Sequence, residues 1–190
     1  MKPAGESREA LRSASAEYLL ENGLADLSLR PIAAAIGTSA RMLVYHFGSK
    51  DRLIAEAMAE IRERQRAIAE DWIARHEGAS PEEFLRFVWS WITAPGRERY
   101  LRLFFEAVGR GDREPFAEFS RAAFDDWVEW AHRRFAGAGR PAADSRARAV
   151  LTVSAIRGLA LYYLATGDRS GARAALGKLA QLSSSRGGAR

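Results

Sequence analysis

The stretch LSLRPIAAAIGTSARMLVYHFGSKDR, Leu27–Arg52, constrains the fold more than any other part of the chain. Ser28 suits an N-cap, its hydroxyl able to accept from the free N–H groups of a first turn. Pro31 falls inside that turn, where a missing N–H costs nothing. Gly37 supplies the positive φ needed to leave the helix, and the small Ala33 lets a second helix cross closely. The pattern predicts a helix over 28–36, a tight turn, a second helix over 39–46 and a third starting after Ser49. Ile32, Ile36, Leu43 and Phe47 are spaced to meet beneath the crossing. Thr38, Ser39, Arg41, Met42, Tyr45 and His46 are left facing outward or lining its edge. This is helix-turn-helix grammar, and such a second helix is shaped to enter a major groove.

The outward residues carry matching chemistry. Lys50 stands in the first turn of a helix, where the macrodipole is positive and a cation is locally unfavourable, partly offset by Asp51. That placement makes sense if an anion arrives, because free N–H groups and the ammonium can together hold one phosphate. A solvated surface lysine is the plainer alternative, but Tyr45 and His46 one turn earlier favour the phosphate. Tyr45 can bond a phosphate oxygen or lay its ring on a thymine methyl, and His46 can donate to a phosphate or cap its own helix. Arg41 is the candidate base reader, able to bond guanine O6 and N7 together. Thr38 and Ser39 are expected to cap the helix and touch backbone.

Composition adds limits rather than support. Net charge is +5, yet residues 140–190 hold nine Lys and Arg against two Asp, while residues 1–50 hold six against five acids. The basic excess therefore sits away from the reading helix, and the DNA reading rests on the motif, not on bulk charge. Cys is absent, which removes disulfides, thiolate nucleophiles and thiolate metal sites. The N-terminus lacks the apolar core of a signal peptide. No apolar run is expected to span a membrane, the best, Ala155–Ala165, being broken by Arg157 and Gly158; the cytoplasm is the default compartment. There is no Gly-rich phosphate loop and no H-E-x-x-H, and His46, His76 and His132 are too scattered to suggest a metal site, so neither enzyme nor cofactor is expected.

Alternating runs are missing throughout, so the chain reads as all-α, with about nine helices. Helix one is expected over Glu6–Asn22 with Leu11, Ala14 and Tyr18 inward and Gly23 as its stop. Helix four runs to about Arg75 on a stripe of Ile54, Met58, Ile61, Ile68 and Trp72. Five further helices follow: 81–93 after the Gly78–Pro81 stop, 97–108 before the Gly109–Asp112 loop, 114–136 before the Gly137–Pro141 break, 142–166, and one opened by Asp168 or Ser170.

The run Leu43-Val44-Tyr45-His46-Phe47-Gly48-Ser49-Lys50-Asp51-Arg52-Leu53, with Ser28-Leu29-Arg30, Ile32-Ala33 and Gly37-Thr38-Ser39 before it, resembles the N-terminal domain of the TetR (tetracycline repressor) family over about residues 9–58. Pro31 and Val44 depart from the family pattern, which often has an acidic and an aromatic residue there. The resemblance implies a homodimeric transcriptional regulator, most often a repressor, binding a near-palindromic double-stranded DNA operator and released by a small molecule. It implies DNA contacts by Ser28, Thr38, Ser39, Arg41, Met42, Tyr45, His46 and Lys50. It also implies a DNA-binding domain over 1–50 (motif 28–47), helix four beginning at 50 and bridging, a ligand-binding and dimerisation domain over 51–185 and a disordered tail over 186–190. Helices eight and nine would pair with their two-fold mates, through Val150, Val153, Leu161 and Leu176, and helix four would carry ligand binding to the readers.

For the effector, the dense aromatics of the middle helices are individually ordinary core residues, but so many can also line an apolar cavity among helices four to seven. Trp91, Phe104, Phe105, Phe124 and Trp127 are candidate walls for an unknown, largely apolar molecule. Glu106, Asp125, Asp126 and Arg157 fall in apolar neighbourhoods, and Glu106 and Arg157 are the candidates for its polar end. Two rival readings remain open: an interaction protein on the same fold without DNA binding, and a helical enzyme using the cavity.

Overall fold

The computed structural model describes residues 7–25, 27–111, 113–136 and 142–184. The expected break at Gly137–Pro141, the last residue of the Gly109–Asp112 loop and the tail 186–190 lie outside them. Among the described residues the chain forms nine α-helices and no strand: α1 (Arg8–Asn22), α2 (Leu29–Ala35), α3 (Ala40–Phe47), α4 (Lys50–Arg75), α5 (Pro81–Ile92), α6 (Glu98–Gly109), α7 (Phe116–Ala136), α8 (Ala142–Thr166) and α9 (Arg169–Ser184).

Local chemistry accounts for the boundaries. Ser7 caps α1, its hydroxyl accepting from the Ala10 N–H at 3.1 Å. Ser80 and Glu83 form a reciprocal capping box on α5: the Glu83 N–H donates to the Ser80 hydroxyl at 3.2 Å, and the Ser80 N–H to the Glu83 carboxylate at 2.7 Å. Asp168 opens α9, accepting from the Gly171 N–H at 2.8 Å while its other oxygen takes the Tyr162 hydroxyl at 2.8 Å.

The chain forms two compact units that cut it elsewhere than at residue 50. One comprises Met1–Asp71 with Arg102–Ala123, the other Trp72–Leu101 with Phe124–Arg190. In the first, α1, α2 and α3 pack on one another around Leu11, Ile32, Ala33, Leu43, Phe47 and Leu53, with Tyr18, Leu29 and Ile36 partly buried against them. In the second, α9 packs on both α8 and α5.

Two expected stripes shift. On α1 the buried residues are Leu11, Ser15, Ala16 and Leu19, while Ala14 and Tyr18 are half-buried. On α4 the buried face runs Ile54, Met58, Ile61, Gln65, Ala69, with Ile68 and Trp72 only half-buried. In both cases the 3.6-residue period is kept through a polar residue, so following hydrophobicity alone leads to the neighbouring face. A third correction concerns α8: Ala143–Thr166 is, by length and composition, long and apolar enough to cross a membrane. The same helix carries buried Arg157 and packs along α9, as a core helix does.

Candidate functional site

The reading motif is built around one crossing. Gly37 leaves α2 at φ +73, its N–H on the Ala34 carbonyl, and the Thr38 N–H reaches the Ala33 carbonyl at 2.9 Å. Ser39 then caps α3, accepting from the Met42 N–H at 3.2 Å. Leu43 and Phe47 face the core, which fixes the rotation of α3 and leaves Arg41, Val44 and Tyr45 exposed. Tyr45 is 73% exposed and stands edge-on to the His46 ring at 5.1 Å. A large apolar ring left in water at that level costs solvation unless something covers it.

The remaining sequence-predicted contacts are placed as follows. Met42 and His46 are half-buried beside the exposed row, and the His46 Nε2 is buried without a hydrogen-bond partner. Thr38 does not cap; its hydroxyl is buried and unpartnered. Ser28 holds the N-cap position of α2, but its hydroxyl makes no cap bond, contrary to expectation, and stays exposed. Lys50 is exposed at the first position of α4, where the Ser49 hydroxyl takes the Arg52 N–H at 3.2 Å. The earlier N–H groups of that turn stay free to meet an anion beside the ammonium.

The sequence gave no sign of the residues that brace this motif. Arg8 donates from Nε to the His46 carbonyl at 3.1 Å and from Nη2 to Glu56 at 2.6 Å, with its guanidinium 5.3 Å from the centre of the Phe47 ring. It thus holds the C-terminal end of α3 to α1 and α4. Further along α4, Glu60 is the hub of a network with Arg12, Ser13 and Arg64, and Arg64 also reaches Glu17. Burial raises the Glu60 pKa, but the Ser13 hydrogen bond and the charges of Arg12 and Arg64 outweigh it and hold the carboxyl below its usual 4.5.

Glu106 belongs to this bracing too. It was expected at a ligand, but its carboxylate accepts from the Leu24 N–H at 2.7 Å in the α1–α2 connection. Gly23 sits there at φ +72, and a Cβ on it would come within 2.9 Å of the Glu106 oxygens. Phe104 and Phe105 lie in the same unit, and Phe104 is fully buried against Phe119.

The second unit holds a cavity between α5, α6, α7 and α8, and α4 does not line it. Its aliphatic wall is Val88, Ile92, Leu101, Val153, Ile156 and Ala160, and it is completed by Trp91, Trp127 and Arg157. Three expected ligand residues therefore meet at one place. Phe124 stands next to them, its ring 5.7 Å from the Arg157 guanidinium carbon. The open space is about 350 Å³ including the mouth, of which about 20 Å³ is wide enough for a water-sized sphere. A wider groove, open to solvent, runs between α5 and α9 and is lined by Leu176 among others.

The expected dimerisation residues divide. Val150 and Leu161 are exposed, Leu161 at 50%, and Leu151 beside them is 66% exposed. Val153 and Leu176 are instead buried within the chain, at the cavity and the groove, because the 3.6-residue period turns them to the inner side of their helices. Val150, Ser154, Gly158, Leu161 and Ala165 form one exposed stripe along α8.

Residues 11–57 match the family model described as bacterial regulatory proteins, tetR family. No curated protein matches the sequence. Solved structures share the fold over nearly the whole chain. A transcriptional regulator from Rhodococcus sp. Rha1 superposes with a TM-score of 0.78 at 23% identity, covering 93% of this chain and 95% of that one. A TetR transcriptional regulator from Legionella pneumophila gives 0.74 at 17% identity, covering 96% and 99%. A TetR-family regulator from Cytophaga hutchinsonii gives 0.77 at 15% identity, covering 96% of each.

Proposed function

We propose that this chain, a member of the tetR family of bacterial regulatory proteins, is an effector-responsive transcriptional repressor that binds a near-palindromic operator as a homodimer in the cytoplasm. The observation that carries the reading is the exposed row Arg41, Val44 and Tyr45 on α3, with Lys50 in the first turn of α4. In the proposed complex α3 enters the major groove and Arg41 reads a base edge, while Lys50, Ser28 and His46 grip phosphates. Ser39 and Thr38 lie at the backbone, and Met42 and Tyr45 supply apolar contact. Val44, short for its place, contributes only its methyl groups.

The exposed stripe on α8 supports a homodimer. It is apolar or small along its length, and Gly158 has no neighbouring atom within 4 Å of where a Cβ would stand, leaving room for a close helix crossing. A two-fold dimer predicts operator half-sites about one helical turn, ~34–36 Å, apart.

The effector site is the cavity of the second unit. Leu101 lines it, and Glu106, five residues further along α6, holds the Leu24 N–H beside the reading motif. A ligand that moves α6 would therefore act on that hydrogen bond, which gives differential affinity for DNA-competent and DNA-incompetent states. Selection of bound sequences from a random DNA pool tests the reading. Enrichment of a two-fold-symmetric site is expected; no enrichment, or an asymmetric site bound by a monomer, would refute it.

A further inference from the structure

We propose that the cavity of the second unit takes a compact apolar molecule ending in a carboxylate, held by Arg157 and the indole N–H of Trp91. The inference rests on the reading of the chain as an effector-responsive regulator and names the chemistry of the effector.

The polar side-chain groups of the cavity wall all donate. They are the Arg157 guanidinium and the indole N–H groups of Trp91 and Trp127; every other lining side chain is aliphatic. A wall with donors and no side-chain acceptor selects a ligand that brings acceptors. The Trp91 Nε1 is buried with no hydrogen-bond partner, a vacancy that costs free energy until an oxygen arrives. Arg157 is only 8% exposed in these apolar surroundings. Its planar fork carries five N–H donors, so bonds already made within the protein leave donors for a carboxylate. An ammonium would meet the buried guanidinium as a like charge in a low dielectric. A ketone or amide brings an acceptor but no charge to balance it.

Size points the same way. Only about 20 Å³ of the space admits a water-sized sphere, whereas a benzene-sized guest needs roughly 150 Å³. Such a ligand must spread the wall, which is what an effector that shifts a conformational equilibrium has to do. An acid on a small apolar body gains a charge-assisted bond in exchange for that repacking.

The test is calorimetric titration of the full chain with four probes sharing one ring: benzoate, benzamide, toluene and benzylamine. Benzoate should bind at least about tenfold more tightly than the other three, with benzylamine weakest. Arg157→Met keeps an apolar stem and should remove about tenfold for benzoate while leaving toluene unchanged. Trp91→Phe keeps a ring, removes the N–H, and should cost benzoate about threefold; it decides the matter alone if Arg157→Met fails to fold. Absence of saturable benzoate binding, amine binding as tight as the acid, or a benzoate preference untouched by Trp91→Phe overturns the proposal. Operator binding is measured separately. Benzoate that occupies the cavity without changing operator affinity upholds the ligand chemistry and refutes the regulator. A cationic molecule that occupies the cavity and releases the operator does the reverse.

Discussion

The two compact units are held together by different physics. In the first, directional polar bonds brace the apolar core beneath the reading motif: Arg8 on the His46 carbonyl, Glu106 on the Leu24 N–H, and the Arg12–Glu60–Arg64 network along α4. The second is dominated by aromatic and aliphatic packing around a cavity, with Trp127 in contact with Phe84, Trp91 and Trp130. Hydrogen bonds and ion pairs fix orientation, because a small displacement loses most of their energy. Apolar contacts are non-directional and can be remade in a second arrangement. A reader that must match a groove needs the first kind of cohesion, and a chamber that must admit a guest is served by the second.

The sharpest way to break this contrast is to remove an aromatic from the second unit. Trp127→Ala deletes a ring that is 8% exposed and should destabilise by about 3–5 kcal/mol, measured by urea unfolding. A loss under about 1 kcal/mol would mean that its ring contacts carry little of the packing. Next, Gly23→Ala places a Cβ at φ +72 within 2.9 Å of the Glu106 carboxylate. It should cost about 2 kcal/mol through backbone strain and displacement of the Glu106–Leu24 bond. Loss of slow hydrogen exchange at the Leu24 amide would locate the damage, and an unchanged amide would dismiss it.

Glu60→Gln should remove about 1–2 kcal/mol by uncoupling Arg12 and Arg64. The pH dependence has a definite sign. Because the native pKa lies below the usual 4.5, the stabilisation is complete above that value and is lost as pH falls through the lowered native one. Wild-type stability should therefore decline under acid more steeply than that of Glu60→Gln, and parallel profiles would contradict the assignment. The smallest effect is expected at Tyr45→Ala, within about 0.5 kcal/mol, since a ring 73% exposed contributes little to folding. Its operator affinity should nevertheless fall, which separates reading from bracing.

How legible each unit was follows from the same contrast. The motif's turns are local chemistry: Gly37 and Ser39 sit where a short window of residues requires a positive φ and a cap, so α2, α3 and the exposed face of α3 could be read from order alone. The bracing could not, since Arg8 and Glu106 act on residues 38 and 82 positions away. Glu106 was noticed as a charge among apolar neighbours, but a carboxylate in such a place looks the same whether it serves a ligand or a backbone N–H. Likewise Val153 and Leu176 have the composition of dimer residues, and only the rotation of their helices shows that they turn inward. The cavity was foreshadowed by its tryptophans and Arg157, while its position among α5 to α8 depends on packing between helices distant in sequence.

The central claim, that α3 reads base sequence, is tested most directly by the affinity of wild-type and Arg41→Ala protein for the selected operator and for a scrambled duplex of equal length at one salt concentration. The account predicts that Arg41→Ala loses about 1–3 kcal/mol on the operator and distinctly less on the scrambled duplex. Equal losses on both, or none on the operator, would contradict it.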